Sequence, residues 1–180
     1  MPSIARLLAT LLASSTSVMA AVQWPLTAAV GPTTTTAAKK AVVCNVLNYG
    51  GTIGSSDIGP AILSAFTNCV KKATTATLYI PPGSYSMATW VTLDAGTHWA
   101  FQLDGVITRT STTTGHMIII QNAVDFEFFS STSAGAIQGA GYLCRNAGPR
   151  LLRMVTSTNW SVHDLIFVDC KFEASSQIIA

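Results

Sequence analysis

Val124-Asp125-Phe126-Glu127-Phe128 decides the fold, because Thr158-Asn159-Trp160-Ser161-Val162 repeats its pattern further along the chain. In both, a polar turn residue leads into an aromatic, then a polar and an apolar residue. Echoes of this kind are the mark of stacked coils, in which each coil's inward side chains rest on those of the next. The alternation sends Phe126 and Phe128 inward. Asp125 and Glu127 then share the opposite face, about 7 Å apart, and are expected to point to solvent.

Outward from this stretch, short apolar segments recur between Gly, Asn, Asp, Ser and Thr. Strands are expected at 77–80, 85–93, 99–109, 117–121, 125–130, 136–139, 151–155 and 160–168. The Gly-rich run from Ala134 to Gly148 reads as a side loop inserted into one coil. Toward the N-terminus, Cys44 to Gly51 reads as a strand entering a glycine turn. Ser55-Ser56-Asp57 supplies helix-capping chemistry and Pro60 suits a first helical turn. Ile58, Ile62, Ala65, Phe66 and Cys69 keep a 3.6-residue period, which predicts an amphipathic helix of about three turns. Such a helix would cover the open end of the stack and hide an unpaired sheet edge.

Composition agrees with stacked coils. The chain of 180 residues is 49% hydrophobic and 10% charged, and holds 23 Thr and 17 Ser. Ordinary globular chains are about 25% charged, so hydroxyls replace charges here. A net charge of +2, with Lys and Arg scattered, lacks the electrostatic footprint of a nucleic-acid binder.

Arg6 is the only charge ahead of Lys39, and Leu7 to Ala13 forms a short apolar run before Val18-Met19-Ala20. Residues 1–20 read as a secretory signal peptide, too short in its apolar part to span a bilayer. Residues 21–41, with Thr33 to Thr36, read as a propeptide or linker, and packed structure is expected from about Val42. The expected product is secreted and extracellular, with no membrane contact after signal cleavage. Four cysteines, Cys44, Cys69, Cys144 and Cys170, then suggest disulfides in one of three pairings. No Cys-x-x-Cys or His cluster supports a metal, and no cofactor is expected. His98, His116 and His163 stand isolated in the sequence. Asn159-Trp160-Ser161 is an N-glycosylation sequon.

Several blocks then fall into a known pattern. They are Cys44-Asn45-Val46-Leu47-Asn48-Tyr49-Gly50, Ser56-Asp57-Ile58-Gly59-Pro60-Ala61-Ile62, Cys69, and Leu78-Tyr79-Ile80-Pro81-Pro82-Gly83-Ser84-Tyr85. Together these resemble the opening of the pectin-degrading glycoside hydrolases of family 28. The continuation is most similar to the fungal rhamnogalacturonases. It matches at Thr89-Trp90-Val91, Leu103-Asp104-Gly105, Thr108-Arg109-Thr110, Gly135 to Tyr142, Gly148-Pro149-Arg150 and Val162-His163-Asp164.

The resemblance covers residues 42–169. It implies an all-β fold: a right-handed parallel β-helix with an N-terminal capping α-helix. It further implies a Cys44–Cys69 disulfide, an inverting hydrolysis needing no metal, and a pectic polysaccharide such as rhamnogalacturonan as partner.

That chemistry needs an acid and a base carboxylate roughly 6.5–9.5 Å apart. The family's motifs for them match no position here, so no catalytic residue is assigned in this chain. Asp57 is expected to cap the helix and Asp104 to serve a turn. Asp164 and Asp169 read as strand-end residues. Arg145, Arg150 and Arg153 read as surface cations, and Trp90, Trp99 and Trp160 as packing residues. After Asp169 the likeness stops, so residues 170–180 read as a divergent tail and the chain as the truncated N-terminal part of an enzyme, inactive alone. An uncapped last coil is then expected to self-associate. A pectate-lyase-like enzyme and a non-catalytic pectin-binding module are the competing readings. The partners of Cys144 and Cys170 stay open.

Overall fold

The computed structural model describes residues 30–143 and 148–168. The expected signal peptide, Cys144, Arg145, Asp169, Cys170 and the tail lie outside the described residues. Among the described residues, twelve short strands, β1 to β12, pair only in parallel, which requires a crossover between any two partners. They form three sheets wound as a β-helix. Sheet A holds β1 (Val43–Asn45), β2 (Ala76–Ile80), β5 (Thr97–Leu103), β8 (Val124–Phe129) and β11 (Thr158–His163). Sheet B holds β3 (Ser84–Met87), β6 (Val106–Arg109), β9 (Ala136–Gln138) and β12 (Ile166–Val168). Sheet C holds β4 (Val91–Asp94), β7 (His116–Gln121) and β10 (Arg150–Val155). From β2 onward the chain visits A, B and C in turn, giving three complete coils and two strands of a fourth.

The register follows the expected echo: Thr158 pairs with Val124, Trp160 with Phe126 and Val162 with Phe128. The positions Thr77, Ala100, Glu127 and Ser161 align, and the coils between them lengthen in that order. The longest coil contains the Gly-rich excursion between β9 and β10.

Inside, like stacks on like. Leu78, Phe101, Phe128 and Val162 form one ladder, and Val91, Ile118 and Leu152 another. Phe101 and Phe128 stack with ring centroids 4.6 Å apart, close to the strand spacing itself.

Three expected strands, 85–93, 99–109 and 160–168, are each two strands of different sheets. The breaks fall at corners. At one corner the amide of each following residue donates to a glycine carbonyl one coil up: Val106 to Gly83, Ala136 to Gly105 and Ile166 to Gly135. A Cβ on Gly135 would stand 1.8 Å from the Leu103 carbonyl oxygen, so no larger residue fits there. At the corner between sheets C and A, Ala95, Asn122 and Thr156 repeat a left-handed backbone (φ 67°, 54° and 50°). Periodicity alone shows no bend, because the apolar pattern runs on through the corner.

The helix α2 (Gly59–Asn68) covers the first coil and buries Ile62, Ala65 and Phe66, with Ile58 just before it. Phe66 meets Trp99, which meets Phe126, at 5.0 and 4.4 Å between centroids. Asp57 lies just ahead of the helix. It accepts from the amide of Gly59 at 3.0 Å, and also from those of Ala88 and Thr89 in the β3–β4 loop. Cys44 and Cys69 are disulfide-bonded across a sequence separation of 25, tying β1 to the end of α2. A loop of that size stabilises by roughly 3 kcal/mol in the chain-entropy view.

Candidate functional site

Two expectations fail at the N-terminal end of the described chain. Packed structure begins before Val42: residues 33–40 lie as a strap on the outer face of sheet A. The strap contains a one-turn helix α1 (Thr36–Lys39), capped by Thr35 accepting from the Ala38 amide at 3.2 Å. Thr77 donates its hydroxyl to the Lys39 carbonyl at 2.9 Å and fixes the strap to β2. Asp125 and Glu127 do point away from the core, as the alternation requires, but the strap covers them. They are 1% and 6% exposed.

The Thr run of the strap carries no apolar period, and composition alone therefore reads it as a linker. Its packing is polar. Asp125 accepts from the backbone amides of Thr33 and Thr34 and from His98 Nδ1, the last at 2.6 Å. The Thr34 hydroxyl also reaches His98 Nδ1, at 2.9 Å. Thr36 donates its hydroxyl to both oxygens of Glu127 at 2.9 Å, and His163 Nε2 meets Glu127 at 2.9 Å. His163 Nδ1 lies 2.7 Å from Asp164. Lys39, fully buried, sits 3.8 Å from Asp125 and 4.0 Å from Glu127. Lys40 lies over the Phe129 ring at 5.6 Å. The histidines that stand isolated in the sequence thus meet the acids in space: His98 comes from the coil above and His163 from the coil below.

The electrostatics follow from these contacts. Burial pushes the Asp125 carboxyl up, but hydrogen bonds from Thr34, His98 and the Thr33 and Thr34 amides hold it far below the usual carboxylate range. Burial lowers Lys39 from its ordinary value, and attraction to Asp125 and Glu127 only partly restores it. Burial also lowers His163, but bonds to Asp164 and Glu127 more than reverse this and raise it. With these donors in place, neither Asp125 nor Glu127 presents an open position to a water or a glycosidic oxygen. The arrangement is a clamp joining the strap to three coils.

The other described acids are also engaged. Asp104 does more than serve a turn: it is buried, and accepts from Gln102 at 2.6 Å, Ser130 at 3.1 Å and Ser131 at 2.8 Å. Arg109 is buried as well and donates to the carbonyls of Gly139, Ala140 and Ser111, bracing the start of the excursion. Trp99 packs in the core as expected, while Trp90 and Trp160 are half-buried. Asn159 is exposed on β11 at a left-handed position (φ 51°) aligned with His98 and Asp125.

Sheet C carries the other candidate surface. Arg150 and His116 are register partners there, and Arg153 projects outward beside Ile119. Burial and the two guanidinium groups lower the His116 imidazole from its ordinary value. Among the described residues, no group of three or more His, Cys, Asp or Glu side chains could hold a metal ion, and no helix is long and apolar enough to cross a membrane.

One signal in the sequence points to the clamp: two acids, an outward pair, with histidines stacking nearby at coil spacing. Lys39 itself leaves no trace there, since nothing local marks a lysine that will be buried against an acid several strands away.

Comparison with known proteins agrees with this architecture. No family model matches the sequence. Rhamnogalacturonase A of Aspergillus aculeatus is 46% identical over 158 residues, covering 85% of this chain and 35% of that protein. A probable rhamnogalacturonase B of Neosartorya fischeri is 49% identical over 150 residues, 80% of this chain and 28% of that protein. A probable rhamnogalacturonase E of Aspergillus flavus is 47% identical over 166 residues, with shares of 88% and 36%. The chain therefore spans about a third of the length of the curated relatives it matches. Nearly every second residue agrees over four-fifths or more of this chain, so its curated homologues are rhamnogalacturonases, enzymes of glycoside hydrolase family 28, and the chain matches a part of each.

Proposed function

We propose that this chain is the coil-initiating part of a secreted glycoside hydrolase that cleaves a pectic backbone of the rhamnogalacturonan type. The 46–49% identity to rhamnogalacturonases over 80–88% of the chain carries this reading. The apolar N-terminal run and the disulfide favour an oxidising, extracellular destination. Asn159 is the glycan acceptor on that route.

Hydrolysis with inversion requires two carboxylates with room for a water between them. Asp125 and Glu127 are capped by the strap, and Asp104 is spent on Gln102, Ser130 and Ser131. The described coils therefore build and stiffen the solenoid, and on this reading the reacting pair lies outside them. Among the described residues, the strands β11 and β12 present an unpaired edge, with Ile166, Phe167 and Val168 exposed. That edge drives self-association of the isolated chain.

One experiment tests the whole reading. The chain is expressed alone and as an extension with the further coils of a rhamnogalacturonase, and reducing ends released from rhamnogalacturonan are measured. The extended protein should hydrolyse, and the 180-residue chain should not. Release by the chain alone would place a catalytic pair among its own residues. Unsaturated products would mean a lyase instead.

A further inference from the structure

We propose that the outer face of sheet A is a docking groove for the strap as a separable peptide, and that a second copy of this chain can supply that strap. Two copies then exchange straps, each filling the other's groove.

The groove is set by the coils. Asp125 and Glu127 flank Phe126 on β8, and Phe126 packs inward against Trp99 at 4.4 Å between centroids. Strand register aligns His98 with Asp125. His163 aligns with Phe129 and stacks on its ring at 5.6 Å. The ladders therefore hold two carboxylates and two imidazoles on one face, whichever chain brings the strap.

What the strap brings is polar and complete in itself. It turns Thr34, Thr36 and Lys39 toward the sheet, while Val30, Ala37 and Ala38 are exposed. The Thr33 and Thr34 amides donate to Asp125, and the Thr34 hydroxyl reaches His98. The Thr36 hydroxyl donates to Glu127, and the Lys39 ammonium faces both acids. Donors and a cation on one side thus meet acceptors on the other. An acidic segment would meet like charge here, and an apolar one would leave the two acids buried without partners.

Little depends on strap and groove sharing a chain. The amides of Lys40 and Ala41 turn back onto the carbonyls of Ala37 and Ala38, both at 3.2 Å. The Val42 carbonyl already accepts from the Thr77 amide of β2 at 2.8 Å. Lys40 and Ala41 are the joint, and straightening it leaves every contact of the strap available to a neighbouring molecule. Exchanging an identical element is for this reason a low-cost route to a dimer. A strap on its own chain has an effective concentration of about millimolar, so exchange gains ground in concentrated solution.

Two variants of the 180-residue chain separate the parts. Lys39→Glu sets an acid against Asp125 and Glu127 and empties the groove of its own strap. Glu127→Lys sets a cation against Lys39 and leaves an intact strap without its groove. A tagged copy of one is mixed with an untagged copy of the other. Capture of the unlike partner is expected about tenfold above that in like-with-like mixtures. Association through the β11 and β12 edge is common to both variants and cancels in that ratio. A synthetic peptide of residues 30–41 should bind the Lys39→Glu chain and abolish the capture. The same peptide carrying Lys39→Glu, or with its order scrambled, should do neither.

Capture no greater between unlike variants than between like ones would overturn the proposal. Equal competition by the scrambled peptide would also overturn it, by making the face a general acceptor of cations. Thermal melts check folding. If Glu127→Lys does not fold, peptide binding to the Lys39→Glu chain decides alone. If Lys39→Glu does not fold, the groove does not stand without its strap and the proposal falls.

Discussion

Sheets A and C are built by the same rule on the inside and by opposite rules on the outside. Both stack aliphatic and aromatic ladders inward. On sheet A the outer face is closed: a strap lies across it and carboxylates, imidazoles and a lysine are consumed in holding it. On sheet C Arg153 stands exposed, with Thr92 and Asp94 exposed on the same sheet. The lesson is that charge on a solenoid's outer face has no single meaning. Where it is buried against opposite charge it is structural, and where it is exposed its removal leaves stability nearly unchanged.

The sharpest way to break this contrast is to remove the strap's buried cation. Lys39→Ala leaves Asp125 and Glu127 covered but without the buried ammonium that lies 3.8 Å from one and 4.0 Å from the other. Losing one partner of a buried pair costs about 3 kcal/mol, read as a lowered denaturation midpoint. Lys39→Met separates charge from volume: if it is as stable as the parent, the strap is held by packing and the clamp is incidental. A milder cut is Glu127→Gln, which keeps the shape and the Thr36 contact but removes charge-assisted bonds to His163. About 1–2 kcal/mol should be lost, in the same unfolding measurement.

How much of this is legible in the residues differs between the two faces. The inward ladders are, because a solenoid repeats its apolar pattern at coil spacing. The echo between 124–128 and 158–162 is a register in the structure. Alternation places Asp125 and Glu127 correctly on the outward side. Their burial is not legible, because it depends on the stretch from Thr33 to Lys39, far upstream, whose Thr-rich composition carries no period. The corners that split three expected strands are hidden for a related reason. A left-handed Ala95 or Thr156 is set by contact between coils, as in the Ala95 amide's bond to the Gln121 carbonyl at 2.9 Å, since neither residue favours that backbone locally. Asn122, Asp125, Asn159 and Asp164 at positive φ are easier to rationalise, being residue types that tolerate it.

Acidity offers a test that acts on sheet A's clamp without mutation. His163 is raised in the folded protein, so its contribution is fully present below the unfolded value near 6.5 and is lost as pH rises through the higher folded value. Asp125 is depressed, so its contribution is present above the unfolded value near 3.9 and is lost as pH falls toward the folded one. The clamp should therefore be strongest in mild acid, between about pH 4 and 6.5. Melting temperature measured across pH 3–9 should show a fall on the alkaline side that His163→Gln flattens. An unchanged alkaline limb in that variant would detach His163 from the clamp.

The smallest expected effect is the most discriminating, because it comes from the open face. Arg153 is exposed and holds no ion pair among the described residues. Truncating such a side chain should move stability by no more than about 0.5 kcal/mol. Arg153→Ala and Glu127→Ala change one outward charge each, on two strands of the same coil, β10 and β8. If the two faces are what their contacts say, Glu127→Ala lowers the melting temperature and Arg153→Ala does not. Were both variants to destabilise alike, sheet C's cations would belong to the scaffold, and the distinction between a sealed face and an open one would fall.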